Sequence, residues 1–425
     1  MFENIIGQRE ITATLRAELT EGRFPRSSLF FGPAYCAKLS TALEVARVLT
    51  CRDGRGEWSC ECQSCRLQRE LAHPHTVLLG PRYSDVEIAA CAGALARNRK
   101  PATQYLFLRA VRKLTRTFDP AVLDTEDARM KGALEKVSRI EEQLSPLQPG
   151  APLPAEGVLS GLLETIVASC AGLAAHARGD GLTIGQVRRV TAWSHLSATD
   201  SRKIAIIENA DRMQEGARNA LLKLLEEPPA DVNLVLLTTR RAAIIPTILS
   251  RMRPYSFDPR SPADEKDVMT KIFREETPSA ASLRAYFLAW KEINPDKLTA
   301  LSHRFMELVL DAGAGGREIT AELSELLPER RAARGGGQKG SPREAVVSFL
   351  EELTFRFSDA RREGSVEGDT LEEWVEAVRE AFTRLDVYNI SAPTVVEALY
   401  YRMREAIHRG DPLPGAGGSS GKAEQ

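Results

Sequence analysis

A chain of 425 residues is longer than one ordinary core, so two or three domains are expected. Its 43% hydrophobic and 27% charged residues describe a globular protein, and a formal net charge of −1 gives no overall bias toward nucleic acid, although local basic patches remain open. The opening "MFENIIGQRE" lacks the basic-then-apolar pattern of a secretory leader. No apolar run is read as a membrane span, and the seven cysteines point to metal or incidental thiols rather than a disulfide scaffold. A cytoplasmic protein without membrane contact is the expectation.

Ile11, Leu15 and Leu19 lie four residues apart, which predicts a helix. "SSLFF" (27–31) predicts a strand running into a turn at Gly32-Pro33, and "LSTALEVARVLT" (39–50) a helix behind it. Strand, loop and helix form the context of a phosphate-binding loop, G-x-x-x-x-G-K-[ST]. Here Gly32 and Lys38 are in register. Ala37 stands at the second glycine, where a positive φ would strain it. Leu39 stands at the hydroxyl that would hold Mg²⁺, and Ser40 falls one residue late. The loop is a degenerate nucleotide site or a chance Gly/Lys turn.

Cys51, Cys60, Cys62 and Cys65 follow in "CRDGRGEWSCECQSC". Four thiolates at such short spacing suit a tetrahedral, structural Zn²⁺. The C-x-C step between Cys60 and Cys62 is tight, and the other reading is four reduced surface thiols. Cys36, Cys91 and Cys170 are read as buried thiols.

"HTVLLG" (75–80), "KIAIIE" (203–208) and "VNLVLLTT" (232–239) read as strands buried on both faces of a parallel sheet, with a helix at 213–227 stopped by Pro228-Pro229. These alternate as an α/β domain over 1–257. Glu208 ends one strand where a metal-binding acid belongs, and Asn209 takes the place of a catalytic base. Between the strands at 75–80 and 203–208 a helical insertion, about 86–180, breaks the rhythm. Arg109, Arg112, Lys113 and Arg116 share one helical face there, with Tyr105, Phe107 and Phe118 interleaved. That face would suit a DNA backbone, or is simply a solvated face over an apolar one. After about 258 only helical patterns remain, interrupted by a Gly-rich stretch at 329–342 and ending in a tail, 411–425, too polar to order itself.

"IIENADRMQEGARNALLKLLEEPPADVNLVLLTT" and "IIPTILSRM", with the opening "IIGQREITATLRAELTEGRFPRSSLFFGP", resemble the clamp-loader AAA+ family of bacterial DNA polymerase III. The likeness covers roughly 1–82 and 181–257. With its damaged loop the chain is more similar to delta-prime than to the ATP-hydrolysing gamma/tau subunits. The resemblance implies an AAA+ sheet domain with a zinc module at about 51–65, a helical lid at 258–310, and an all-α collar at 311–410. A stripe of Leu385, Tyr388, Ile390, Val395, Leu399 and Met403 is the candidate for collar packing or for a bundle core. It implies a five-subunit ring that loads a sliding clamp on primed DNA as part of the DNA polymerase III holoenzyme. In "ILSRM", Arg251 matches the arginine finger that reaches a neighbour's ATP; otherwise it pairs with a surface carboxylate. Two rivals stay open: an active gamma/tau-like ATPase using Lys38 and Glu208, and a nucleic-acid adaptor acting through the insertion. ATP or ADP held without hydrolysis is also compatible with these residues.

Overall fold

The computed structural model describes the chain apart from residues 55, 81–84, 124–127, 178–180, 197–201, 291–293, 311–341, 364–365, 367, 387–389 and 411–425. It forms two compact units, one running from Met1 to Trp290 and the other made from the residues beyond.

The first unit is built on five parallel strands: β1 (Ser27–Phe31), β2 (Thr76–Leu79), β3 (Lys203–Ile207), β4 (Val232–Thr238) and β5 (Arg253–Ser256). Their order is β2-β3-β4-β1-β5. Every residue of β2, β3 and β4 is buried. That explains unbroken apolar runs where an open sheet would alternate. The pleat still sorts them. Leu29, Leu79, Ile207 and Leu236 face α8 (Ile184–His195) and α9 (Glu215–Glu226). Phe30, Leu78, Ile206 and Val235 face α1 (Arg9–Thr20) and α2 (Lys38–Leu49). β5 gave no sequence signal. It is four residues long, carries Pro254, buries only Tyr255, and pairs with β1 alone. A proline is tolerated at such an edge.

α3 (Gln63–Arg69) follows the cysteine-rich turn. The insertion is helical, as expected: α4 (Asp85–Arg97), α5 (Pro101–Thr115), α6 (Ala128–Leu144) and α7 (Glu156–Ala177). Contrary to the sequence reading, one stretch, Glu156–Ala174 of α7, is long and apolar enough to cross a membrane, with mean hydropathy 1.6. Its Leu159, Leu163, Ile166 and Leu173 are instead packed in a core with α4, α5 and α6.

α10 (Pro246–Leu249) precedes β5, and α11 (Pro262–Lys271) and α12 (Leu283–Trp290) close the first unit. α13 (Pro295–Leu310) belongs to the second, with α14 (Pro342–Glu363), α15 (Gly368–Asp386) and α16 (Ala392–Gly410). The 258–310 segment expected as a lid is therefore divided between the units. In the second, Leu385, Val395, Leu399 and Met403 are buried beside Trp374, whose indole N–H donates to Met403 O at 2.9 Å. Those four residues fill the unit's own core; Ile390 is half-buried, and Tyr388 lies outside the described residues. The 329–342 stretch, save Pro342, and the 411–425 tail also lie outside them.

Candidate nucleotide edge and four-cysteine centre

The loops after β1, β3 and β4 leave the same, carboxyl-terminal edge of the sheet, where open α/β sheets bind ligands. Ala37 lies in the left-handed region, φ 70°, and caps α2 without a side-chain hydrogen bond. The bend glycine of the motif is thus gone while its conformation is kept. Gly32 has φ 152°, and a Cβ there would sit 2.2 Å from Phe257 O, so this glycine is obligatory. Lys38 turns back on its own loop. Its Nζ donates to Gly32 O at 2.8 Å, to Pro33 O at 2.5 Å and to Cys36 Sγ at 3.3 Å. Burial pushes the Lys38 ammonium below its ordinary pKa, against the opposing pull of Cys36, Glu208 and Asp211. Leu39, half-buried, packs against the apolar cluster of α1 and α2, so an aliphatic side chain stands at the position of the Mg²⁺ hydroxyl.

Glu208 follows β3, its N–H bonded to Leu79 O at 2.8 Å, and Asn209 takes a left-handed φ of 49°. The acid that sequence reasoning missed is Asp211. It is buried, accepts from Thr238 Oγ1 at 2.7 Å, and is gripped by Arg240 through Nε at 3.0 Å and Nη2 at 2.6 Å. Both guanidinium N–H groups converge on Oδ2 and supply the countercharge this carboxylate needs. The signal was present in "ENADRM": an acid four residues past the strand's end lands on the same edge once a tight turn intervenes.

Arg251 is exposed after α10. Its Nη2 donates to Glu226 Oε1 at 2.9 Å and its Nη1 to Thr247 O at 2.9 Å. Within this chain, therefore, it forms the surface pair that was the alternative to a finger. Met252, beside it, is buried in the sheet's core.

Cys51, Cys60, Cys62 and Cys65 converge, with all four sulfurs within 4.8 Å of one another and Cys51 and Cys60 3.7 Å apart. A tetrahedral ion with Zn–S bonds of about 2.3 Å needs sulfurs about 3.8 Å apart, so the donor set fits. The C-x-C step does not prevent this, because Cys62 turns the chain into α3 as its N-cap and brings Cys65 in from the first turn. Burial pushes the Cys62 thiol up, but the backbone N–H groups of Cys65 and Arg52 outweigh it and hold it down at about 6. Burial pushes the Cys65 thiol far above its usual range. Arg47, buried in α2, donates to Cys65 Sγ at 3.2 Å, to Gly56 O at 2.7 Å and to Glu57 O at 2.9 Å. Arg47 and Arg69 both lie on the Trp58 ring, at 5.6 and 5.5 Å from its centre. Cys36, Cys91 and Cys170 are buried, as expected.

Three cations of the basic face at 109–116 are paired within the chain. Arg112 donates to Glu70 O at 2.9 Å and pairs with Glu141 at 3.3 Å. Lys113 pairs with Glu87 at 2.5 Å, and Arg116 with Leu71 O at 3.1 Å and Asp119 at 2.8 Å. Phe107 and Phe118 are buried, so neither can stack on a base. The periodicity was right; the partners are acids and the carbonyls at the end of α3.

A five-stranded all-parallel sheet in this order, flanked by helices on both faces, is consistent with the AAA+ class of fold. A family model described as DNA polymerase III, delta subunit, matches residues 7–116 and 162–261, and over those residues the chain is similar to that family. The match omits 117–161, a narrower stretch than the 86–180 insertion. The DNA polymerase III subunit delta' of Bacillus subtilis is 35% identical over 155 residues, 36% of this chain and 44% of that protein. The gamma/tau subunit of Mycobacterium tuberculosis is 22% identical over 277 residues, 65% of this chain and 32% of that one. The chain thus spans less than half the length of these relatives. A crystal structure of a DNA polymerase III gamma subunit-related protein from Thermotoga maritima shares 22% identity, covering 54% of this chain and 81% of that one at a TM-score of 0.27.

Proposed function

We propose that this chain is a delta-prime-like subunit of a DNA polymerase III clamp loader that does not hydrolyse ATP itself. The observation that carries this reading is the loop: a half-buried Leu39, packed against the apolar cluster, stands at the hydroxyl position, and Lys38 is bonded to the loop's own carbonyls. Hydrolysis needs a metal-bound phosphate and a placed base. Leucine cannot ligate a hard cation, and Asn209 cannot accept a proton as a carboxylate does. Gly32, Lys38 and Glu208 are then the remains of a nucleotide site.

The chain would work in the cytoplasm, in a five-membered ring with gamma/tau-like and delta-like subunits, joined through the helical second unit as a collar. It would help place a sliding clamp on primed DNA. α11 and α12, with α13, would correspond to the lid. Arg251, exposed on α10's far end, would leave Glu226 and serve as the finger for a neighbour's ATP. Cys51, Cys60, Cys62 and Cys65 would hold one structural Zn²⁺, which supplies a rigid crosslink and leaves no open coordination position.

One feature keeps ATP or ADP binding in play. The amides at the start of α2 have no side-chain cap, and such helix ends favour phosphate. Calorimetry of the purified chain with a non-hydrolysable ATP analogue and Mg²⁺ tests the reading. No heat of binding is expected; micromolar binding would revive the gamma/tau-like motor.

A further inference from the structure

We propose that the helical segment 85–177 is a brace that fixes α11 and α12 against the sheet. α11 and α12 have a shared core with the segment. Val268, Met269, Leu283 and Tyr286 are buried in one cluster with Ile88, Phe107, Ile140 and Ile166 of α4, α5, α6 and α7. The contact with α4 is close enough to require a glycine: a Cβ on Gly93 would lie 2.2 Å from the Trp290 ring of α12. One turn later Arg97 locks the same seam. It pairs with Glu275 at 2.7 Å, donates to Phe273 O at 3.0 Å, and lies over the Trp290 ring at 5.9 Å from its centre.

The other side of the segment is bolted to the sheet's flank. Arg112 and Arg116 grip the carbonyls of Glu70 and Leu71 at the end of α3, where a helix's partial negative charge gathers. The path from α3 through α5 and α4 to α12 is continuous and packed. Only the short connection Phe257–Ser261 joins β5 to α11 along the chain. That connection is also pinned: Gln8 Nε2 donates to Asp258 O at 2.7 Å, Arg260 donates to Ile6 O at 3.0 Å and to Tyr35 O, and Phe287 of α12 stacks on Tyr35 at 5.6 Å. The brace is a second tie on α11 and α12, made by a different set of residues.

The test is hydrogen–deuterium exchange of the full chain carrying Gly93→Val, Arg97→Ala or the exchanged pair Arg97→Glu with Glu275→Arg. For Gly93→Val and Arg97→Ala, residues 257–290 are expected to exchange about tenfold faster while β1, β3 and β4 stay protected. The exchanged pair is expected to exchange more slowly than Arg97→Ala. Unchanged exchange at 257–290 overturns the brace. Equal loss of protection in the strands also overturns it, because the segment would then be only a part of one common core.

Discussion

Ala37 shows how much one side chain can report. A β-carbon in the left-handed region costs roughly 1–2 kcal/mol, and glycine would return part of that to unfolded-chain entropy. Ala37→Gly is therefore expected to raise stability by about 0.5–1 kcal/mol, read from denaturant midpoints. An unchanged midpoint would mean the loop relaxes around the alanine. His73 is a second informative residue. Its Nδ1 accepts the His75 N–H at 3.2 Å, so Nε2 carries the proton and donates to Ser64 Oγ at 3.0 Å. Burial first, and then His75, Arg116 and Arg52, lower its pKa from 6.5 to about 4. The folded state thus refuses a proton that the unfolded chain takes up. Stability from this group is complete above pH 6.5 and declines as pH falls toward 4, by up to about 3 kcal/mol. His73→Gln should flatten that part of the pH profile relative to the parent. Parallel profiles would show that His73 is protonated in place.

Among the elements, the cysteine turn and α2 depend on one another. Arg47 ties Cys65 to the carbonyls of Gly56 and Glu57 and also balances the buried carboxylate of Glu44, bonded at 2.9 and 2.6 Å. Removing it leaves Glu44 unpaired in the interior, which costs about 3–5 kcal/mol for buried pairs. The purified, reduced chain is expected to hold one equivalent of zinc, and Cys62→Ser to lose most of it by elemental analysis. Less than about half an equivalent in the parent would count against a four-thiolate site. α5 teaches the limits of a helical wheel. Arg109, Arg112 and Lys113, with Arg116 just beyond its end, were legible as one face, yet the wheel cannot say whether a face meets phosphate, water or protein. Glu70, Glu87 and Glu141 lie 42, 26 and 29 positions from the cations they meet, and only folding brings them there.

At the scale of the whole molecule, the chain's proposed chemistry lies outside itself. A guanidinium donated to a neighbour's phosphoryl transfer is worth roughly 10³–10⁵ in rate at that site. In a reconstituted loader, Arg251→Ala should lower DNA-stimulated ATPase to the level set by sites Arg251 does not serve, while the ring still assembles. An unchanged rate would remove the finger. Arg251→Lys should fail as well, since an ammonium cannot replace the planar fork.

The sequence by itself determined the sheet's buried strands, the helices around them, the turn after β1 and the four converging cysteines. Each is encoded locally, by apolar runs, by turn residues, or by ligands within fifteen positions. Tertiary structure alone decided that β5 is a strand, because its partner β1 lies more than two hundred residues away. It also decided that Asp211 is held by Arg240, that α5 faces inward, and that Leu385, Val395, Leu399 and Met403 fill their own bundle. The physical reason is common to all of these. Periodicity states which side chains share a face, whereas the partner that neutralises or buries that face is chosen by contacts between segments remote in the chain.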